Sequence, residues 1–465
     1  MPTVVAVAPS VPPPAPVESP PALPDAVREL QRLILGGQGA ASVVESLTTE
    51  VGPRLAGSPG DKLAVAWALR AMRERGLVNV RAEPVKVPVW ERGVETASIL
   101  GAVPRPLAIS ALGWSGATPP RGIEAELVRF DSMDALTSAD PKIVAGKIVF
   151  LDVKMRETAE TTGYGAAVAA RWRGPMDAAK KGAVAVVIRS ISADSSRVPH
   201  TGNMRREKDV RSALPAAALS NADADLLERT LTAHGGVRLA LRLGPRWLPD
   251  AESANVVGEI PGREIPGEIV LLAAHLDSWD LAEGALDDGA GCGIVLEAGR
   301  ALAALPTRPR RTVRVVLFAA EENSLAGGKQ YAKVHAAELG AHVAGLEADF
   351  GTGKVVHVKL KGAPEARSRF APVAQMLGPL GVTAPDEVAW GGADLSPLHA
   401  LGVPVVDLAQ EPVRYFDAHH SANDTFARID PATLSQATAA FATATWGLAE
   451  MSGDLGRIPE ADRDR

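Results

Sequence analysis

Apolar and polar residues follow two rhythms along this chain. The clearest stretch is a run of six apolar residues, 269–274, that ends at His275. A continuous apolar run bounded by polar turn residues marks a strand buried on both faces of a parallel sheet. Similar runs occupy 255–260, 313–319, 344–348 and 405–408, the last following Pro404 at its start. Helical spacing fills the intervals: about 290–305, from about Leu325 onward, and a long helix from Pro431 at its first turn to about Met451. The alternation predicts an α/β fold, a mostly parallel mixed sheet flanked by helices.

The N-terminal part is helical. Val27, Leu30, Leu33 and Ile34 recur at helix spacing before Gly36-Gly37, and 43–51 forms a second piece. The stretch GPRLAGSPG then turns the chain, and Leu63, Trp67, Leu69 and Met72 mark the apolar stripe of a helix ending near Gly76. Between about 103 and 247 the rhythm shortens. Strands are expected at 124–130, 147–153, 183–188 and 214–219, with helices at 176–182 and 222–231. This reads as a smaller, β-rich module inserted into a larger domain. The division expected is a Pro/Ala-rich tail over 1–24, a first catalytic part over 25–102, the insert over 103–247, a second catalytic part over 248–452 and a charged tail over 453–465. In the insert, His200 and Tyr164 read as surface-loop residues, the alternative being that they lean over a site.

A chain of 465 residues is long for one core, which agrees with two units. Net charge is −6 with no basic block, so neither nucleic acid nor an anionic membrane is an expected partner. The single cysteine, Cys292, excludes an intramolecular disulfide and reads as a packed thiol. No apolar run is long enough to span a bilayer. Residues 1–24 lack a basic n-region and are interrupted by prolines, which fits a polyproline-like tail better than a signal peptide.

Chemistry gathers at the strand ends. His275 is followed by Asp277 and the pair Asp287-Asp288; the next strand ends in Glu321-Glu322 and another at Asp349; a late loop carries Tyr415, His419 and His420. In open α/β sheets ligands bind beyond the carboxyl ends of the strands. Burying so much carboxylate unpaired is costly, and bound cations remove the cost. Imidazole and carboxylate without thiolate suit zinc, manganese or cobalt. The number of donors fits two ions sharing a carboxylate.

The ordered motifs HLDSWD, GALDDGAG, AAEENSLAGG, LEADFG and HHSANDT resemble those of the co-catalytic zinc exopeptidases, with the closest wording in the plasma glutamate carboxypeptidase, or carboxypeptidase Q, branch. GPRLAGSPG also fits that branch, and GKIVF with AAKKGAVAVVI resembles a protease-associated domain. The resemblance implies the following roles. His275 and Asp349 bind one zinc ion, Glu322 and His420 a second, and Asp287 bridges both. Glu321 is the general base, and Asp277 orients His275 from behind. Tyr415 is a candidate oxyanion donor, and the loop containing Gly391 and Gly392 a candidate substrate wall. A secreted or periplasmic setting is implied by the resemblance, though 1–24 shows no clear leader.

Asp288 is expected to cap a helix, Asp424 to brace the His420 loop, and Asp280 and Glu283 to be loop charges. His419 is either a contact behind the ligands or structural; His335, His342, His357 and His399 are structural or exposed. The activity implied is hydrolysis of dipeptides or short peptides. The alternatives are an aminopeptidase acting on longer peptides, glutaminyl cyclisation on one zinc, and a non-catalytic binding protein using the insert. The insert is expected to shape access to the cleft or to supply a homodimer interface.

Overall fold

The computed structural model describes residues 22–156, 162–205, 214–412 and 414–463. Most of the expected N-terminal tail, 1–21, lies outside them. The first unit is built on a seven-stranded sheet. Its order is Val78–Glu91, Arg246–Ile260, Arg311–Phe318, Ile265–His275, His342–Glu347, Val405–Gln410 and Val355–Lys361. The central Ile265–His275 strand explains why its sequence is apolar without alternation. Val270, Leu272 and Ala274 join the core beneath one face, while Leu271 and Ala273 join the core on the other. Helices Gly39–Glu50, Ala290–Ala303 and Pro431–Glu450 pack on the first face; Ala326–Val334 and Ser396–His399 cover the second. Truncating Leu271 or Leu272 to alanine costs about 2–5 kcal/mol.

The sheet is less parallel than the sequence suggests. Arg311–Phe318, Ile265–His275, His342–Glu347 and Val405–Gln410 run parallel. The other three pairings are antiparallel. The cause lies in the connections. The chain leaves the sheet along Val78–Glu91 and returns along Arg246–Ile260, so these two long strands must run in opposite directions.

Between them lies the second unit, an eight-stranded sheet in the order Arg105–Leu107, Glu95–Ile99, Arg238–Leu243, Ile123–Phe130, Ile148–Leu151, Ala185–Arg189, Ala216–Leu219 and Ile109–Ala111. Glu95–Ile99 pairs with Arg238–Leu243, so the unit begins earlier than residue 103. It is α/β rather than β-rich, with helices including Met133–Ser138, Tyr164–Trp172, Gly174–Lys180 and Asn221–His234.

Two further expectations are corrected. Leu63 is 56% exposed, whereas Ala64, Trp67, Ala68, Ala71 and Met72 are buried, so the helix Pro59–Glu74 turns its face one residue further on. The stretch after 452 is not merely a charged tail. Leu455 and Ile458 are fully buried, and Ile458 N–H donates to the Gly402 carbonyl at 3.0 Å.

Candidate metal centre and cleft

Register assembles the site. His275 lies opposite Phe318 and Ala273 opposite Glu347, so the residues just past three parallel strands emerge side by side. These are Asp277, Glu321, Glu322 and Asp349. Asp287 arrives from the turn before the Ala290–Ala303 helix, across a cis peptide to Asp288. His420 comes from the loop after Val405–Gln410 and has a left-handed backbone, φ 60°.

Asp287 sits between two histidines. His275 Nε2 lies 3.3 Å from Asp287 Oδ1 and 3.5 Å from Asp349 Oδ1. His420 Nε2 lies 3.3 Å from Asp287 Oδ2 and 3.1 Å from Glu322 Oε2. Donor atoms of His275, Asp287 and Asp349 fall within 4.8 Å of one another, as do those of Asp287, His419 and His420. Asp287 Oδ2 and Glu322 Oε1 are buried without a hydrogen-bond partner among the described residues. An orphaned Asp287 oxygen facing imidazole nitrogens is what a cation-binding set requires, so the residues present fit divalent metal.

The electrostatics agree. Burial raises Glu322 to about 7, and the neighbouring Asp287 adds to the shift. Burial, Asp349 and Glu322 together hold Glu321 well above the usual carboxylate range, against the lowering influence of His275. Burial alone would lower His420, but Glu322 and Asp287 reverse this and bring it to about 9. Acids crowded into a dry site hold one another's protons until positive charge is supplied.

The supports are legible one by one. The ring of His275 points Nδ1 at the Asp277 backbone carbonyl, 3.1 Å away, while the Asp277 carboxylate stands 3.6 Å off. That carboxylate instead accepts the Glu321 N–H at 2.9 Å, so Asp277 holds the Glu321 backbone as well as standing behind the histidine. Asp288 accepts from Gly291 N–H at 2.9 Å, the expected cap, and from His275 N–H at 3.1 Å. Asp424 braces the bridging turn by accepting from Leu286 and Asp287 N–H at 2.6 and 3.2 Å. Cys292 is buried, its thiol pushed up to about 12 by burial, which fits an inert packed residue.

A family model described as Peptidase family M28 matches residues 255–445. Carboxypeptidase Q of Bos taurus is 37% identical over 411 residues, covering 88% of this chain and 85% of the relative. The chain belongs to peptidase family M28. As a member of M28 it is a metallo-exopeptidase. A peptidase M28 precursor from Shewanella amazonensis superposes with a TM-score of 0.89 at 45% identity, covering 93% of this chain and 98% of that one. A zinc aminopeptidase from Bacillus subtilis shares the fold, with a TM-score of 0.65 at 22% identity over 91% of this chain and 97% of that one.

The M28 centre opens into a cleft of about 950 Å³ between the two units. Several expectations change here. Tyr164 and His200 are not surface residues. Tyr164 lines the cleft and stacks on Phe416 at 4.8 Å. His200 is 2% exposed; its Nδ1 meets the His419 carbonyl at 2.7 Å, and it forms a β-bridge with Ser421. Gly391 and Gly392 do not face the cleft; a Cβ on them would strike Val405 and Glu347. Their neighbours Trp390 and Ala393 line it instead. Asp407 holds this loop, accepting from Trp390 and Gly391 N–H at 2.5 and 2.7 Å. Tyr415 does line the cleft, stacked on Phe350 at 4.8 Å. His419 stacks on His420 at 3.5 Å, with Nε2 3.7 Å from Asp287.

The loop charges also have partners. Asp280 receives both prongs of Arg92, at 2.8 and 2.9 Å, and Glu283 accepts Phe426 N–H at 2.8 Å. Three contributors to the M28 site escaped the sequence reading. Arg54 is fully buried and donates to the carbonyls of Leu276, Glu283 and Gly284 at 2.6–2.8 Å. Asn203 donates to the Glu322 backbone carbonyl. Arg171 places Nη1 3.2 Å from His420 Nδ1. Only Arg54 lay in a motif, GPRLAGSPG; the other two stand in stretches without periodic or family signal.

Proposed function

We propose that this metallo-exopeptidase cleaves dipeptides and short peptides with two zinc ions. His275 and Asp349 would hold one, Glu322 and His420 the other, with Asp287 shared. The observation that carries the reading is the position of Asp287, one carboxylate 3.3 Å from each of two histidines that each have a second acid of their own. Carboxylate and imidazole donors without thiolate suit zinc. Zinc bound there supplies Lewis acidity, lowering the pKa of water and drawing negative charge from a carbonyl oxygen. The chain's own residues do the rest. Glu321 lines the cleft, where it would take a proton from the attacking water. It then returns that proton to the leaving amine. Asp277 holds the Glu321 backbone in place for both transfers. Tyr415 offers its phenol to the carbonyl oxygen as charge develops. Preference for short substrates is supported by the second unit, whose residues close one side of the cleft.

The test is metal analysis of purified protein paired with hydrolysis of dipeptides, longer peptides and aminoacyl anilides, before and after chelation. Near two zinc ions per chain are expected, with dipeptide cleavage that chelation abolishes and zinc restores. Faster cleavage of long peptides would make it an aminopeptidase of broader range. Undiminished hydrolysis in the fully chelated protein would refute the reading.

A further inference from the structure

The cleft carries groups of both signs. Its four acids, Asp287, Glu321, Glu322 and Asp349, all belong to the first unit. The second unit contributes Arg171 and Arg205 to the lining, and the first unit adds Lys329. Arg171 is buried, 8% exposed, and its contacts are specific. Nη1 donates to the Thr201 carbonyl at 3.3 Å, and Nη2 donates to the Tyr164 phenol oxygen at 2.7 Å. A guanidinium can only donate. The phenol oxygen is therefore the acceptor in that bond, and its own proton must point elsewhere. The ring is fixed by Phe416 at 4.8 Å and by the edge of His419 at 5.4 Å. Among the described residues nothing accepts the Tyr164 proton, and the residue lines the cleft. Arg205 stands on the same wall, its backbone N–H bonded to the Trp172 carbonyl at the end of the helix that begins at Tyr164.

We propose that Tyr164 and Arg205 form a subsite for the free terminal carboxylate of the peptide, with Arg171 as the positioning residue that turns the phenol outward. The inference rests on the exopeptidase reading above and names the group of the substrate that the second unit recognises. A carboxylate accepts a phenol proton and pairs with an arginine, whereas an amide end can do only part of this.

Tyr164→Phe keeps the ring and its stacking and removes only the hydroxyl. The experiment compares one dipeptide with its C-terminal amide, for the wild type, Tyr164→Phe and Arg205→Gln, with bound zinc measured in each. The wild type should favour the free acid. Each variant should lose about tenfold or more in kcat/KM on the acid, through KM, while the amide changes little and zinc content stays the same. Equal losses on acid and amide, or no loss on either, would overturn the subsite. A wild type that hydrolyses neither peptide would overturn the parent reading and the subsite with it.

Discussion

His420 meets Asp287 at 3.3 Å, Nε2 to Oδ2, across two loops separated by more than a hundred residues of sequence. The other oxygen of the same carboxylate faces His275. A residue in that position cannot be replaced by its amide, because asparagine brings one acceptor oxygen, one donor and no charge. Asp287→Asn should therefore lower metal affinity by more than about 100-fold, beyond the range for residues that merely orient a ligand. Zinc stoichiometry against competing chelator measures this. A variant that keeps both ions would remove Asp287 from the bridging role.

Glu321 stands in the same cleft but belongs to neither histidine pair. Glu321→Gln should reduce kcat by about 10²–10⁴ while leaving bound zinc unchanged. Metal analysis and steady-state kinetics on the same preparation distinguish this from a ligand mutation. Loss of zinc in the variant would reassign the residue.

Among the described residues Arg54 has no ion-pair partner to explain its burial. Its guanidinium serves backbone carbonyls of the segment that runs from His275 toward Asp287. Arg54→Met preserves much of the volume and removes every donor, leaving several buried carbonyls unsatisfied at about 1–3 kcal/mol each. The expected loss is about 3–5 kcal/mol in urea denaturation, with kcat lowered because the bridging turn loosens. A change below about 1 kcal/mol would mean that water replaces the guanidinium.

His342 gives stability an acid limit remote from the candidate metal centre. It is 2% exposed, and burial lowers its pKa to about 4. Nδ1 donates to the Glu338 carbonyl at 3.0 Å, and Nε2 accepts from the Tyr331 hydroxyl at 3.0 Å. That hydroxyl already accepts from Arg314 at 3.0 Å, so a proton on Nε2 has nowhere to point and faces a guanidinium. The unfolded chain binds this proton near pH 6.5, the folded chain only near 4. Stability contributed by the neutral ring is complete above pH 6.5 and is lost as pH falls toward 4, by up to about 3 kcal/mol. His342→Gln should flatten the urea-stability profile across that window. An unchanged slope would show that other groups set it.

Much of this was legible in the residues. The strand ends that carry His275, Glu321-Glu322 and Asp349 follow from apolar runs too continuous for anything but a doubly buried sheet, and parallel register does the gathering. What was not legible depends on contacts between distant stretches. Nothing local distinguishes Arg171 from a surface arginine at the end of a short helix; its meaning comes from Thr201 and His420. Tyr164 and His200 looked like loop residues because Gly163, Gly165, Pro199 and Gly202 punctuate the sequence around them, whereas in space they pack against Phe416, His419 and Ser421. Gly391 and Gly392 looked like a substrate wall because glycine permits close approach. What approaches them is Val405 and Glu347. The parallel character of the sheet was overestimated because strand direction is set by how the chain leaves for the second unit, which apolar periodicity does not record.

The bridge between His200 and Ser421 has a thermodynamic consequence. Together with the Arg92–Asp280 pair and the bond from the Ser192 hydroxyl to the Phe416 carbonyl at 2.7 Å, it joins two separate hydrophobic cores through the ligand loop itself. Neither core can melt without stripping the other of buried polar partners. Heating should therefore give one calorimetric transition for both units, with van't Hoff and calorimetric enthalpies in agreement, where two independent cores would give two.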